Sequence, residues 1–250
     1  MGASESYSSR QNAQQQEPSK NSSQTEDVIG RAGKALKGVV QHEYEHILKD
    51  ADSPLDKSSS WKNQLKQLYD GVLLDCKTKA KKKSNANCFM LYAKALSITW
   101  GETSHYWQWI QQKEERYTSI TNIIFYHTGT MIEVAKLLRV CWLEVRGKFD
   151  AEKLSPGIIY QVSFIVMLKN SGDGWDDPIN FRLVLPGGKK VEKRECLKEK
   201  PRDKWTEIQV GEFEASKNDV GEMEISMYEF DSGRWKSGLL IQGVSIKPKN

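Results

Sequence analysis

Ile159-Tyr-Gln-Val-Ser-Phe-Ile-Val-Met-Leu168 is followed by Gly172-Asp-Gly174, by Ile179-Asn-Phe-Arg-Leu-Val-Leu185 and by Pro186-Gly-Gly188. An apolar run of strand length, a glycine turn, an alternating run and another glycine turn leave no helical period between them. The same grammar continues outward in both directions. Upstream, residues 89–100 read as a strand, and Leu138-Arg-Val140-Cys-Trp142-Leu-Glu-Val145-Arg alternates in part. Downstream, residues 205–213, 221–230 and 239–246 have strand composition, with Asp231-Ser-Gly233 as a further turn and Ser155-Pro-Gly157 opening the central run. Many short strands joined by turn formers predict a mainly β chain, an antiparallel β-sandwich of jelly-roll-like character over residues 88–250.

The N-terminal third has a different composition. Residues 1–25 are Ser, Gln, Asn, Glu and Lys with almost no apolar side chain, and are expected to form a disordered tail. Over 26–76 apolar residues recur at three- and four-residue steps. Val28, Ile29, Ala32, Leu36, Val40, Tyr44 and Ile47 form one stripe, and Trp61, Leu65, Leu68, Tyr69 and Val72 form another. Ser53-Pro54 lies between them, so the segment predicts an α-helical hairpin. Residues 77–87, Lys77-Thr-Lys-Ala-Lys81-Lys-Lys83 and its polar continuation, read as a lysine-rich linker, because repelling charges extend a chain. The alternative for the same lysines is a nuclear-import or polyanion-binding patch.

Composition narrows the function classes. The chain has 250 residues, 38% apolar and 28% charged, with a net charge of +4. No apolar run reaches the roughly 20 residues that span a bilayer, and no secretory signal opens the sequence, so a cytoplasmic protein is expected. The net charge is too small to argue nucleic-acid binding by itself. Cys76, Cys88, Cys141 and Cys196 have no metal-ligand spacing. Cys76 and Cys88 flank the lysines and Cys196 lies in a charged connection, which makes these three the candidates for oxidative cross-linking. Cys141, in phase with Leu143 and Val145, is expected to be buried. Met1-Gly2-Ala-Ser-Glu-Ser6 fits the loose N-myristoylation pattern.

Catalytic patterns are few. His42-Glu43-Tyr-Glu-His46 matches H-E-x-x-H within a predicted helix, but a hairpin offers little wall for a substrate cleft and no third ligand follows. Glu222, Glu224 and Glu229 read as a solvated strand face rather than a glycosidase pair. There is no nucleophile elbow and no phosphate-binding glycine loop. The expectation is a non-enzyme without cofactor or metal.

The richest functional signal is Leu96-Ser-Ile-Thr-Trp100-Gly-Glu-Thr-Ser-His-Tyr106-Trp107-Gln-Trp109, which holds three of the eight tryptophans. Flat apolar rings beside hydroxyl and carboxylate groups suit a sugar, whose C–H face stacks and whose hydroxyls hydrogen-bond. For Trp100 the competing reading is core, since it would share a strand face with Ile98.

These residues carry a family resemblance. Ala95-Leu-Ser-Ile-Thr-Trp100 with Tyr106-Trp-Gln-Trp109 resembles the opening motif of the plant phloem lectins, the phloem protein 2 family with its Nictaba-type domain. Val140-Cys-Trp142-Leu-Glu-Val-Arg-Gly-Lys148 is similar to the second motif. Gly221-Glu-Met-Glu-Ile225 through Trp235-Lys236-Ser237-Gly238 is similar to the closing one. The resemblance implies a sandwich-fold lectin of the phloem for N-acetylglucosamine oligomers and the core of N-glycans, acting in defence and wound response. It places the essential tryptophans at Trp100 and Trp107, with Tyr106 and Trp109 beside them and Glu229, Trp235, Lys236 and Ser237 as further wall and polar partners. Weak sites need avidity, so a homodimer is expected. A structural role with phloem filaments or RNA, carried by the hairpin, is the alternative. Residues 110–131 form a longer connection than the shortest members have.

Overall fold

The computed structural model describes residues 47, 51–52, 71–75, 77–83, 86–114 and 131–249. The chain divides into two units, 1–42 and 43–250, and every described residue lies in the second. The tail, most of the helical hairpin, His42-Glu43-Tyr-Glu-His46 and Gly2 lie outside the described residues, as do 115–130 and Cys76.

Among the described residues, thirteen strands build two antiparallel sheets. The first contains β1 (Val72–Leu74), β2 (Thr78–Lys83), β3 (Ala86–Tyr92), β5 (Trp107–Lys113), β6 (Met131–Leu137), β8 (Ile159–Leu168), β11 (Trp205–Glu214) and β13 (Leu239–Pro248). The second runs β10 (Lys190–Glu195), β9 (Ile179–Val184), β12 (Glu222–Glu229), β7 (Leu143–Asp150) and β4 (Ser97–Ile98). The central run recognised in the sequence is β8, paired with β13 on one side and β11 on the other. Its apolar residues are nearly continuous because both of its faces are covered: Val162, Phe164 and Val166 join the inter-sheet core, while Ile165 and Met167 join a second apolar cluster.

Rings close the gap between the sheets. Phe164 of β8 meets Phe181 of β9 at 5.9 Å between centroids, and Phe89 of β3 meets Phe149 of β7 at 4.7 Å. Burial of each such side chain stabilises the fold by about 1.5–3 kcal/mol. β7 and β9 alternate strictly, with Leu143, Val145, Phe149, Ile179, Phe181 and Leu183 inward and, apart from Val184, charged or polar residues outward. β10 closes one edge with alternating charges, which discourages further strand pairing. β13 pairs with β6 through Leu240 and Ile241, then with β3 from Gly243 onward. The change of partner falls at a bulge, where Gly243 has φ +154 and a Cβ would stand 1.9 Å from the Leu91 carbonyl oxygen.

Several expectations are corrected. Residues 77–87 are not a linker: β2 and the start of β3 form a hairpin within the first sheet, with Lys81 opposite Cys88. Inter-strand hydrogen bonds and the buried Ala80 outweigh the repulsion between the lysines. The end of the second expected helix is strand β1, so a domain boundary at residue 88 would cut the sheet. The expected strand 89–100 is broken by a 3₁₀ turn, Ala93–Ala95, which carries the chain from β3 in one sheet to β4 in the other. Cys141 lies in the bend before β7 and is half-buried rather than buried. Cys88 and Cys196 are half-buried as well.

Candidate functional site

The turn after β4 decides where Trp100 points. Gly101 N–H donates to the Ile98 carbonyl at 2.9 Å, and Thr103 N–H donates to the Trp100 carbonyl at 2.9 Å. Trp100 sits in this turn at φ +57, a left-handed conformation that a bulky residue rarely adopts. It therefore shares no strand face with Ile98, and its ring stands 46% exposed. Two indoles from β5 hold the turn from below. Trp107 Nε1 donates to the Thr99 carbonyl at 3.2 Å, and Trp109 Nε1 donates to the Gly101 carbonyl at 3.1 Å.

This geometry separates the four aromatic candidates. Trp100 and Tyr106 form a surface pair, centroids 5.2 Å apart. Trp107 turns into the inter-sheet core at 3% exposure, so the expected sugar-facing ring is corrected to one that holds the turn. The cause is strand geometry: neighbours Tyr106 and Trp107 point to opposite sides, and the core takes the second. Trp109 packs against the same core, and the Lys94 ammonium lies 3.6 Å over its ring.

The loop 230–238 is built around a buried charge pair. Lys236, with no exposed surface, is ion-paired with Glu229, which is 4% exposed, and donates to the Arg234 carbonyl at 2.9 Å. Glu229 also accepts from Ser232 N–H at 2.9 Å and Ser232 Oγ at 3.0 Å. Burial pushes its carboxyl up, but the Lys236 and Ser232 hydrogen bonds and the Lys236 charge together hold it below the usual carboxylate range. Glu229 and Lys236 are therefore corrected from ligand-facing groups, and from a solvated strand face, to the internal fastening of the loop.

Ser237 is committed to the same task. Its hydroxyl accepts from Asp173 N–H at 3.2 Å and its carbonyl accepts from Trp175 Nε1 at 2.8 Å. At Gly174, φ +84, a Cβ would fall 1.9 Å from the Trp235 carbonyl oxygen, so only glycine admits this approach. The loop thus presents Trp235, 47% exposed, with the Arg139 guanidinium 5.3 Å from its ring centroid.

A third exposed tryptophan, Trp142, lies between these two groups. Its ring, 41% exposed, stacks on Phe230 at 4.2 Å and 15°. Its Nε1 approaches Glu144 Oε2 at 3.4 Å, and Thr99 Oγ1 donates to the same oxygen at 3.0 Å. Glu144 thereby ties Trp142 to the Trp100 turn. Backbone bonds in both directions between Val140 and Lys236, 3.0 and 2.7 Å, tie the Trp142 bend to the Trp235 loop. Burial raises the Glu144 carboxyl, yet hydrogen bonds from Arg146, Thr99 and Trp142 leave it below the ordinary range, so it is an ionised acceptor at neutral pH. Sequence reasoning did not select Trp142, Phe230 or Glu144 as site residues, although the motif Val140-Cys-Trp142-Leu-Glu144 contained two of them. An outward phase opposite Leu143 and Val145 was the available signal.

Among the described residues, the fold and site define a class: an antiparallel β-sandwich with three exposed tryptophans, a carboxylate and an arginine on linked turns. Among the described residues, no cluster of His, Cys, Asp and Glu side chains could hold a metal, and no helix is long and apolar enough to cross a membrane.

Comparison with known proteins takes the assignment further. The family model for Phloem protein 2 matches residues 86–248. The protein PHLOEM PROTEIN 2-LIKE A1 of Arabidopsis thaliana is 45% identical over 213 residues, covering 83% of this chain and 81% of that one. A lectin of Luffa acutangula is 37% identical over 214 residues, 84% of this chain and 95% of that one. A lectin of Coccinia grandis is 26% identical over 166 residues, 66% and 97% of the two chains. The chain belongs to the phloem protein 2 family.

Proposed function

We propose that this protein is a non-catalytic phloem lectin that binds N-acetylglucosamine oligomers and the chitobiose core of N-glycans, in defence and wound response. The observation that carries this reading is the gathering of Trp100, Trp142 and Trp235 on one surface, with Glu144 and Arg139 among them. Exposed indoles that pack on no core have little value to folding, yet they suit the apolar face of a pyranose, and the ionised carboxylate suits its hydroxyls. The lectins of Luffa and Coccinia among its relatives support the same reading. The carboxylates here serve as acceptors, and binding leaves the sugar intact. Stacking on an open surface gives weak affinity per site, roughly micromolar to millimolar, so two copies acting together supply avidity. The protein works in the cytoplasm of phloem cells.

The test is retention on chitin. Trp100→Ala and Trp142→Ala each abolish retention while circular dichroism stays native-like. Retention of both variants at wild-type strength overturns the assignment.

A further inference from the structure

The second sheet continues the site in a direction no motif indicates. Register places a residue from each of four strands, with Thr99 just beyond β4, in a single row: Thr99, Glu144, Tyr228, Asn180 and Arg194. Glu144, Tyr228 and Asn180 belong to the outward set, since their strand neighbours Leu143, Val145, Met227, Ile179 and Phe181 are in the core, and Thr99 and Arg194 are out of phase with Ile98 and Val191, which pack against that core. The row starts at the carboxylate that bonds Thr99 and Trp142 and ends on the exposed edge strand β10.

The row has the chemistry of a sugar track. Tyr228 extends the aromatic surface, stacked 5.7 Å from Phe230, which in turn stacks on Trp142. The Arg182 guanidinium lies 5.2 Å from the Tyr228 centroid. In the adjoining row Ser226 stands opposite both Arg146 and Arg182, keeps 1% exposure and donates to Glu224 at 3.0 Å. Neighbouring strands are about 4.8 Å apart, close to the length of one β-1,4-linked pyranose. A linear chain laid along the row would therefore meet a new residue with each sugar unit.

We propose that Tyr228, Asn180 and Arg194 form outlying subsites, so that a linear β-1,4-linked oligosaccharide runs from the tryptophan surface across the outer face of the second sheet. The proposal rests on the sugar-binding reading of the tryptophan surface and deepens it. Tyr228 supplies a ring edge and a hydroxyl, and Asn180 and Arg194 supply donors to hydroxyls of the distal units.

Titration calorimetry with the N-acetylglucosamine dimer and hexamer tests it on the full chain. Wild-type protein binds the hexamer more tightly than the dimer. Tyr228→Thr, which keeps a strand-forming residue, weakens the hexamer about fivefold and leaves the dimer unchanged. Arg194→Ala, on the exposed edge, weakens only the hexamer too. Equal wild-type affinity for both ligands, or an unchanged hexamer affinity in Arg194→Ala, overturns the extension. Should Tyr228→Thr weaken both ligands through a folding defect, the Arg194→Ala result decides. Wild-type protein that binds neither ligand overturns the sugar-site reading itself, a distinguishable failure.

Discussion

Lys236 has no exposed surface, and its ammonium meets the carboxylate of Glu229 beneath the loop that lifts Trp235 into solvent. A buried ion pair adds little net stability over an apolar pair of equal volume, but removing one partner strands a charge. Here the pair also sets a position. Ser232, Arg234 and Lys236 all bond to it or to one another, so the path of the loop follows from the pair.

Lys236→Ala is expected to cost about 3–5 kcal/mol, read from urea unfolding, because Glu229 is left buried and uncompensated. The double variant Glu229→Gln with Lys236→Met recovers most of that loss. Both weaken sugar retention, since Trp235 loses its support. A double variant no more stable than Lys236→Ala would contradict the internal pairing.

The same pair sets a pH dependence. The folded-state value of Glu229 is depressed below its unfolded value. Its stabilisation is therefore fully present above the ordinary carboxylate pKa of about 4.3 and is lost as pH falls below that range. The urea midpoint of wild-type protein should hold between about pH 7 and 5 and drop below about pH 4, more steeply than that of Glu229→Gln. Parallel acid profiles for the two proteins would refute this.

Trp100 and Trp107 should separate cleanly. Trp107→Ala empties a core position and costs about 3–5 kcal/mol, seen as a lower unfolding midpoint. Trp100→Gly removes an exposed ring from a left-handed backbone position, so stability holds or rises by up to about 1 kcal/mol while sugar binding is lost. Equal destabilisation by both would place Trp100 in the core.

Gly174→Ala tests the support of the other tryptophan. The added methyl would overlap the Trp235 carbonyl oxygen, so the loop 230–238 must move. Weaker chitin retention and a changed tryptophan fluorescence spectrum are expected, with strand content by circular dichroism unchanged. Full retention would show that Trp235 lies outside the sugar surface.

Much of the sandwich was legible along the chain. Ile159–Leu168 was readable residue for residue as β8, and Ile179, Trp205 and Leu239 each open the strand expected there, because inward and outward positions alternate or turn formers bound the runs. β2 and β10 were not legible. β2 lies between β1 and β3 and β10 closes the edge of the other sheet, but both are rich in charged residues, and no apolar periodicity separates such a strand from a solvated linker or a basic patch. β4 was hidden within a longer apolar run, since hydropathy does not mark where the Ala93–Ala95 turn moves the chain between sheets.

The aromatic cluster shows the same division at the site. Sequence alone determined that rings and polar groups are concentrated around Trp100 and Trp109, that Trp235 follows a turn, and that strands of the right period separate them. Which rings face solvent was decided only by tertiary structure. Trp107 was drawn into the core by the second sheet, Trp109 was covered by Lys94 from the preceding turn, and Trp142 was brought beside Trp100 by a carboxylate two residues along its own chain. Local pattern fixes the direction of a side chain relative to its own strand. Its exposure depends on what distant segments place over it, and those contacts join residues far apart in the chain, as Trp175 with Ser237 and Thr99 with Glu144 do around this surface.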